Sequence, residues 1–267
     1  MGGDSLQDAA TSMSLPLLLS DPYFYLVGIT AVLLLGISKS GFPGSFGAMG
    51  VPLMSLAMSP VQAAAIVLPL LCVIDWWGVK VYWGSWDYRT LKIVLPGALV
   101  GIGAGALLFG TVSDATILVL VGTIAVAFTL NNWLRLAARQ AAASHSVVKG
   151  GFWSAVAGLT SFVAHAGGPP IMVYLLPLKL PQTRFIATMG VLFLIINAVK
   201  LLPYAWLGQF SAANLVTSLA LIPVVPVGIY LGRWLQNRVS HVVFYRIAEI
   251  GLFVNGLLLI YEGAIAH

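Results

Sequence analysis

Three ionisable residues, Lys39, Asp75 and His165, each lie within or beside a run of apolar residues in this sequence. A charge surrounded by hydrocarbon is costly unless it is paired or hydrated, so such a residue is a functional candidate by default. Histidine adds a group whose charge can change near neutral pH. These residues therefore predict a polar, charged site inside an otherwise apolar protein.

Glycine and proline interrupt the apolar pattern at two places, 38–44 and 165–170. Non-helical backbone at mid-membrane depth must line a polar cavity or be buried in protein. We therefore predict two helical hairpins, one entering from each face of a membrane. The helix N-termini after the breaks, near Pro43 and Pro169, are expected to present free N–H groups and positive dipole ends that suit an anion.

An anion site at two hairpin tips takes its donors from cations, hydroxyl groups and glycine backbone N–H groups. The candidates for substrate binding are Ser38, Lys39, Ser40, Gly41, Thr160, Ser161, His165, Gly167 and Gly168. Three structural alternatives stay open. In these, Lys39 extends to the cytoplasmic interface, His165 is a hydrogen-bonded packing residue, and the second interruption is only a tight turn.

Asp75 and Asn197 are the candidates for coupling or gating. The Ile-Asp pair that ends at Asp75 aligns with the Ile-Asn pair that ends at Asn197, and each lies in the segment after a break. The alternative is a structural pairing of Asp75 with Lys80 or with a tryptophan N–H group near the inner face. Lys200 also lies deep in an apolar segment, and outward extension of its side chain is favoured over a ligand role.

The composition identifies the class of protein. The chain has 267 residues, of which 60% are hydrophobic and 8% are charged, and its mean hydropathy is +0.98. Soluble domains carry about 25% charged residues, so a water-facing surface of that kind cannot form. The net charge of +5 comes mainly from bases between apolar segments. This placement argues against a nucleic-acid partner and predicts a surrounding lipid bilayer.

The same sequence offers little for enzyme chemistry. It has no His-Glu-x-x-His motif of the intramembrane metalloproteases. Asp75 is the only aspartate inside an apolar segment, the four histidines are scattered, and Cys72 is the only cysteine. We therefore expect no enzymatic activity, no cofactor and no metal site.

Short connections separate about ten apolar segments, so we predict an all-α polytopic membrane protein. The segments lie near 23–38, 42–58, 61–79, 93–112, 115–134, 147–164, 169–178, 185–206, 211–232 and 243–261. Eleven of the 13 Lys and Arg residues lie in or beside alternate connections. Because basic connections stay cytoplasmic, this pattern orients every segment and predicts that both termini are non-cytoplasmic.

Internal similarity divides the chain into two repeats. The stretch 96–105 recurs at 223–232, with Pro, Val-Gly-Ile and a final Gly at one constant offset. The charge rule gives the two copies opposite directions across the membrane, as in the inverted repeats of secondary transporters. The predicted organisation is a non-cytoplasmic N-terminal segment, a first transmembrane repeat, a cytoplasmic linker and a second transmembrane repeat, at 1–22, 23–135, 136–146 and 147–263.

Four stretches of the chain resemble the TauE/SafE sulfite exporter family, also called the 4-toluene sulfonate uptake permeases. They are GISKSGFPGSFGAMGVPLMSL, QAAAIVLPLLCVIDWWGVKVYW, GLTSFVAHAGGPPIMVYLLPLKL and FLIINAVKLLPYAWLG, and the resemblance extends from about residue 23 to 262. The family motifs fall on Ser38, Lys39, Ser40, Gly41 and Phe42, and on His165, Gly167, Gly168, Pro169 and Pro170. Family members often continue with several glycines where this chain has Pro43-Gly44-Ser45-Phe46.

The resemblance implies a transporter of sulfur-containing anions, such as sulfite or an organosulfonate like sulfoacetate, in a bacterial-type inner membrane. We expect alternating access around one anion site, with protons as candidate coupling ions and Asp75 and His165 as the titratable groups. An anion channel or facilitator for small anions is the alternative. Small-residue spacing permits close helix packing within or between subunits, so the oligomeric state stays open.

Overall fold

A computed structural model describes residues 22–44, 50–54, 56–107, 113–134, 143–208 and 210–265. Within these ranges the chain forms eleven α-helices, two short 3₁₀ turns and no strand. The helices are α1 Pro22–Gly41, α2 Gly50–Met54, α3 Pro60–Val81, α4 Tyr88–Leu107, α5 Asp114–Leu134, α6 Val147–Ala164, α7 Gly168–Leu175, α8 Gln182–Trp206, α9 Ala212–Leu221, α10 Val225–Gln236 and α11 His241–Ile265. The predicted N-terminal segment lies almost wholly outside the described residues, as does much of the predicted linker.

Within the described residues, six helical stretches are long and apolar enough to cross a membrane. They are Pro22–Gly41, Gln62–Val81, Tyr88–Leu107, Gln182–Trp206, Ala212–Gln236 and His241–Ile265. The stretch Ala212–Gln236 comprises α9 and α10, which are joined by a 3₁₀ turn. Many large apolar side chains on these helices are exposed, as expected of lipid-facing surfaces. The prediction of an all-helical polytopic membrane protein is confirmed, while the count of ten segments stays a prediction.

Small residues allow two pairs of helices to approach closely. On α4, a Cβ added at Gly101 would overlap the backbone of Ala155 on α6, and one added at Gly158 on α6 would overlap the carbonyl oxygen of Ala98 on α4. The pair α1 and α10 shows the same packing, since a Cβ on Gly36 would lie 3.0 Å from the backbone of α10. This is the small-residue packing by which membrane helices associate without a hydrophobic driving force.

The second helix break is formed by a histidine that ends α6 and by the glycine and proline residues that begin α7. Helix α6 ends at Ala164, and His165 adopts the left-handed conformation with φ 54° while its N–H group contacts the last turn of α6. Helix α7 then begins at Gly168 and carries proline in its first turn. Proline is tolerated there because the first N–H groups of a helix have no intrahelical partner.

The first helix break differs from its prediction. Helix α1 continues to Gly41, so Lys39 lies in its last turn. Phe42 still donates its N–H group to the carbonyl of Ser38 at 2.8 Å, and Gly44 turns the chain with φ 85°. Pro43 itself lies in a turn, and the next described helix, α2, begins at Gly50. Residues 45–49 lie outside the described residues, so the expected helix N-terminus near Pro43 stays a prediction.

A polar cluster ties three helix starts together at one end of the bundle. The Asp87 carboxylate accepts from Thr90 Oγ1 at 2.8 Å and contacts His145 Nε2 at 3.2 Å. The Asp87 N–H group donates to Thr188 Oγ1 at 2.9 Å. Asp87 and Thr90 lie at the start of α4, His145 lies just before α6, and Thr188 lies in the second turn of α8. The charge pattern predicts that this end of the bundle faces the cytoplasm.

We expect Asp87→Asn to destabilise the protein in a pH-dependent manner. Burial raises the pKa of Asp87, but the hydrogen bonds from Thr90 and His145 outweigh this effect and hold it below its ordinary value. A carboxyl with a lowered pKa stabilises the fold above its unfolded pKa of about 3.9, and this stabilisation is lost as the pH falls through the folded value. The variant should melt about 2–4 °C below wild type at pH 7. Thermal unfolding in detergent at several pH values measures this, and an equal difference at pH 7 and pH 3 would contradict it.

Candidate functional site

A pocket lies where the two helix breaks meet. It encloses about 410 Å³, including its open mouth, and it is lined by Lys39, Gly44, Leu71, Ser161, His165, Gly168, Phe193 and Asn197. The two tips touch, since a Cβ added at Gly168 would lie 3.1 Å from the Cα atom of Gly44. A side chain at position 168 would therefore crowd this contact. The lining residues come from both interruptions and from the neighbouring helices.

The strongest polar contact at the pocket joins Lys39, Asp75 and Asn197. Lys39 Nζ lies 2.9 Å from Asp75 Oδ1 and 3.2 Å from Oδ2, and Asn197 Nδ2 donates to Oδ2 at 2.6 Å. The side chains of Lys39 and Asp75 are 10% and 0% exposed. Lys39 Nζ also lies 4.1 Å from the centroid of the Phe193 ring, within range of a cation–π contact. Because the charges are paired and hydrogen-bonded, their burial is tolerated.

This contact decides between two earlier interpretations. Lys39 does not extend to an interface, because its ammonium group is held by a buried carboxylate. Asp75 pairs with Lys39 on α1 and not with Lys80, whose exposed ammonium group lies over the rings of Trp76 and Trp77.

Ser38, Ser40 and Gly41 are not among the residues that line the pocket. The Ser40 hydroxyl lies 2.7 Å from the carbonyl oxygen of Gly36 and 2.8 Å from that of Ile229, so it links α1 to α10. A Cβ on Gly41 would lie 2.8 Å from the backbone oxygen of Gly232. Ser38 is buried, and its hydroxyl reaches the carbonyl of Phe42 at 3.5 Å. These three residues hold the first tip against its neighbours.

The second tip contributes a mixture of supporting and lining residues. Thr160 Oγ1 lies 2.9 Å from the carbonyl oxygen of Val156 and 3.2 Å from that of Ala166, so it supports the break from behind. Gly167 packs against α6, where a Cβ would lie 2.7 Å from the Ala157 oxygen. Ser161, His165 and Gly168 line the pocket.

Lys200 is the residue that sequence reasoning missed. The prediction that it extends outward is wrong, because its side chain is fully buried and Nζ donates to the carbonyl of Ser161. One signal in the sequence pointed to this placement. Lys200 follows Asn197 by three positions, so both side chains lie on one face of α8.

Two tyrosines make equivalent contacts at the two tips. Tyr82 donates its hydroxyl to the carbonyl of Ser40 at 2.8 Å, and Tyr204 donates to the carbonyl of Phe162 at 3.2 Å. Each bond spans 42 residues. Tyr204 lies 122 residues after Tyr82, and Phe162 lies 122 residues after Ser40. The same number of residues separates Asn197 from Asp75.

The arrangement is suited to binding an anion. One lysine, a hydroxyl, an imidazole and an amide line a buried pocket, and all of these can donate hydrogen bonds. In the described part of the chain, no three His, Cys, Asp or Glu residues lie close enough together to hold a metal ion.

Comparison with known proteins gives one match. The family described as sulfite exporter TauE/SafE matches residues 28–259. No curated protein and no solved structure matches the chain.

Proposed function

The chain belongs to the sulfite exporter TauE/SafE family, and from this premise we propose that it carries a sulfur-containing anion across the inner membrane by alternating access. The family is one of membrane transporters, and this chain is a multi-pass membrane protein. The observation that carries the proposal is the pocket between the two helix breaks, where Lys39 is held by a buried carboxylate that an anion can replace.

The pocket provides several donors for one anionic group. A sulfite or sulfonate group has three oxygens, which can accept from Lys39, the Ser161 hydroxyl, the Asn197 amide and the His165 imidazole. Backbone N–H groups at the start of α7, around Gly168, add donors of the kind that helix N-termini offer to anions. Ser38, Ser40, Gly41, Thr160 and Gly167 are proposed to act indirectly, by fixing the shape of the tips.

Proton coupling follows from competition for Lys39. While the Lys39–Asp75 pair is intact, the two charges cancel and the ammonium group is occupied. An anion that takes Lys39 leaves Asp75 as a buried, unpaired carboxylate, which is strongly unfavourable. A proton on Asp75 removes this cost, with Asn197 holding the side chain in place. Binding of the anion and binding of a proton are thereby linked.

The proposal includes two inverted repeats that meet at the pocket. The matching tyrosine bonds and the contact between Asp75 and Asn197 support it, because all of these pairs share one sequence offset. The helix contacts support it as well. Helices α3 and α8 pack together, as do α5 and α11, while α4 packs on α6 and α10 packs on α1. A two-fold axis in the membrane plane exchanges α3 with α8 and α5 with α11, and it exchanges the pair of α4 and α6 with the pair of α10 and α1.

The same contacts favour certain groups of helices moving together during transport, and these groups differ from the two sequence halves. Rocking of one half against the other would separate α4 from α6 and α1 from α10. Those pairs touch backbone to backbone at Gly101 and at Gly36, and packed interfaces of this kind do not deform continuously. We therefore propose that α1 with α10, and α4 with α6, move as units.

The membrane potential sets the favoured direction. One elementary charge crossing 100 mV is worth about 2.3 kcal/mol, and an inside-negative potential drives a monoanion outward. Export needs no coupling ion, whereas accumulative uptake needs about two protons per monoanion. With both termini on the non-cytoplasmic side, as the charge pattern predicts, the Asp87 cluster faces the cytoplasm.

We expect purified protein in proteoliposomes to give transport currents with sulfite and organosulfonates and none with acetate or chloride. Currents recorded on a solid support across this panel measure it. Saturation at modest concentration indicates a carrier, whereas currents that rise without saturation indicate the alternative channel or facilitator. Silence with every sulfur anion would contradict the proposed substrate class.

The coupling step is tested in the same vesicles. Asp75→Asn is expected to retain anion currents while losing the pH change that accompanies them, because an amide cannot take up the proton. If wild-type protein moves the anion without any pH change, proton coupling is wrong and transport itself is unaffected.

A further inference from the structure

Lys200 places an ammonium group directly behind the wall of the pocket. Its side chain has 0% exposure, and Nζ donates to the carbonyl of Ser161 and lies 3.4 Å from its hydroxyl oxygen. Ser161 and Asn197 both line the pocket, and Lys200 shares a helix face with Asn197. Ser161 is thus the residue common to the pocket and to the Lys200 ammonium group.

This ammonium group has no acidic partner within the described residues. The acid at the pocket, Asp75, pairs with Lys39, and Asp87 contacts His145 at the end of the bundle. An uncompensated buried charge is costly. The Tyr204 ring, 5.7 Å from Nζ, offers a cation–π contact but no counter-charge. The surroundings of the pocket therefore carry one positive charge that a bound anion can balance.

Lys200 supplies the second tip with a positive charge that the repeat position equivalent to Lys39 lacks. At the offset that relates Asp75 to Asn197, the counterpart of Lys39 is Ser161, which has no charge. Lys200 brings an ammonium group to Ser161 from the neighbouring helix. Each tip consequently has one ammonium group beside it, although the two lysines come from helices that do not correspond.

An unpartnered donor at the second tip points to the same place. His165 Nε2 is buried and has no hydrogen-bond partner within the described residues. The His165 ring lies 5.9 Å from the Tyr204 ring, which also faces Lys200. A buried polar atom without a partner is costly, and an anion oxygen held near Lys200 supplies one.

We propose that Lys200 is the second cation of the anion site, so that the site selects doubly negative sulfur oxyanions over singly negative ones. The inference rests on the transport function proposed above. Lys39 binds one negative charge after leaving a protonated Asp75, and Lys200 balances the other. A singly negative anion leaves one of the two ammonium groups without a counter-charge.

Sulfoacetate and isethionate form a matched pair of probes, because they are similar in size and differ by one carboxylate charge. Their competition with sulfite-driven currents in proteoliposomes gives an apparent affinity for each. Wild type is expected to prefer sulfoacetate by at least about tenfold. Lys200→Gln should weaken sulfoacetate about 30-fold and isethionate less than about threefold. Lys200→Arg should keep the preference because it keeps the charge, and Lys80→Gln, at an exposed lysine of α3, should match wild type.

Three outcomes would overturn the inference. If Lys200→Gln weakens both probes equally, or lowers the melting temperature without changing the preference, Lys200 only stabilises the C-terminal end of α6. A wild-type protein without preference for sulfoacetate also overturns it, even where no Lys200 variant folds, and leaves the transport function standing. Absence of wild-type currents with every sulfur anion contradicts the transport function itself, and this inference with it.

Discussion

Replacing Lys39 with glutamine is expected to reduce sulfur-anion transport by at least about 100-fold, equivalent to about 2.8 kcal/mol of lost binding to the anion. Among the described residues that line the pocket, Lys39 is the one lysine or arginine. A neutral amide keeps one hydrogen bond but loses the charge that compensates the anion. Initial currents from proteoliposomes at saturating sulfite and at low sulfite measure the loss.

The control must separate lost binding from lost folding. Lys39→Gln leaves Asp75 buried and unpaired, and breaking a buried ion pair in this way destabilises by about 3–5 kcal/mol. The double variant with Asp75→Asn removes both charges and allows the two amides to hydrogen-bond. We expect it to fold with nearly wild-type stability and still to give no current. Lys80→Gln, at an exposed lysine, should transport normally.

Transport by the folded double variant at the wild-type rate would contradict this role for Lys39. It would also show that the Lys39–Asp75 pair is structural, since the pocket would then bind anions through hydroxyl and backbone groups alone. A double variant that remains silent while melting like wild type supports the assignment, because only the charges at the pocket differ.

The all-helical, membrane-spanning class of the protein was predictable, because hydrophobic length acts over whole segments. A run of about 20 apolar residues has few alternatives to a membrane helix. The ends of the breaks were less predictable. Helix α1 continues past Ser38 to Gly41, because backbone hydrogen bonds to the preceding turn outweigh the weak helix propensity of serine and glycine in an environment without water.

The contact between Asp75 and Asn197 agrees with the proposed repeats. The two residues occupy matching positions in the two sequence halves, and residues near a two-fold axis contact their own counterparts. The cationic partner of Asp75 was not predictable from the sequence. Lys39 and Lys80 are both basic residues near a helix end, and only the packing of α1 against α3 decides which one reaches the carboxylate.

The main feature that the sequence could not predict was the direction in which each side chain points. Ser40 and Gly41 follow the same motif as Lys39, but successive residues on a helix point about 100° apart. They consequently face α10 and not the pocket. The placement of Lys200 was unpredictable for the same reason. Local sequence does not distinguish a buried lysine from one that extends toward lipid headgroups. The placement depends on which face of the helix packs inward.

These features connect the stability of the bundle to its function. The tip residues that do not line the pocket hold α1 against α10, and the glycines of α4 hold that helix against α6. The two cross-half pairs carry the tips that touch at Gly44 and Gly168. A shift of one pair relative to the other therefore changes the pocket directly, without any change within the pairs themselves.

Gly101→Val is expected to prevent stable folding of the protein. A Cβ at this position would overlap the carbonyl oxygen of Ala155 and lie 2.9 Å from the Leu159 nitrogen, so helix backbone, not a flexible side chain, would have to move. Overpacking of this kind typically costs about 1–3 kcal/mol and can cost more. Here α6 would have to move away from α4 along the interface that includes Gly158 and Ala98. Fluorescence-detected size exclusion and thermal unfolding measure the effect.

The matched control lies two residues further along the same helix. Gly103 is exposed, and a Cβ there meets no atom within 4 Å. Gly103→Val should therefore fold and transport like wild type, even though both changes replace glycine with a β-branched residue in α4. Gly101→Ala should fall between them, with a clearly lowered melting temperature. Equal stability of the Gly101 and Gly103 variants would show that α4 and α6 are not in backbone contact, and the proposal that they move as one unit would have to be abandoned.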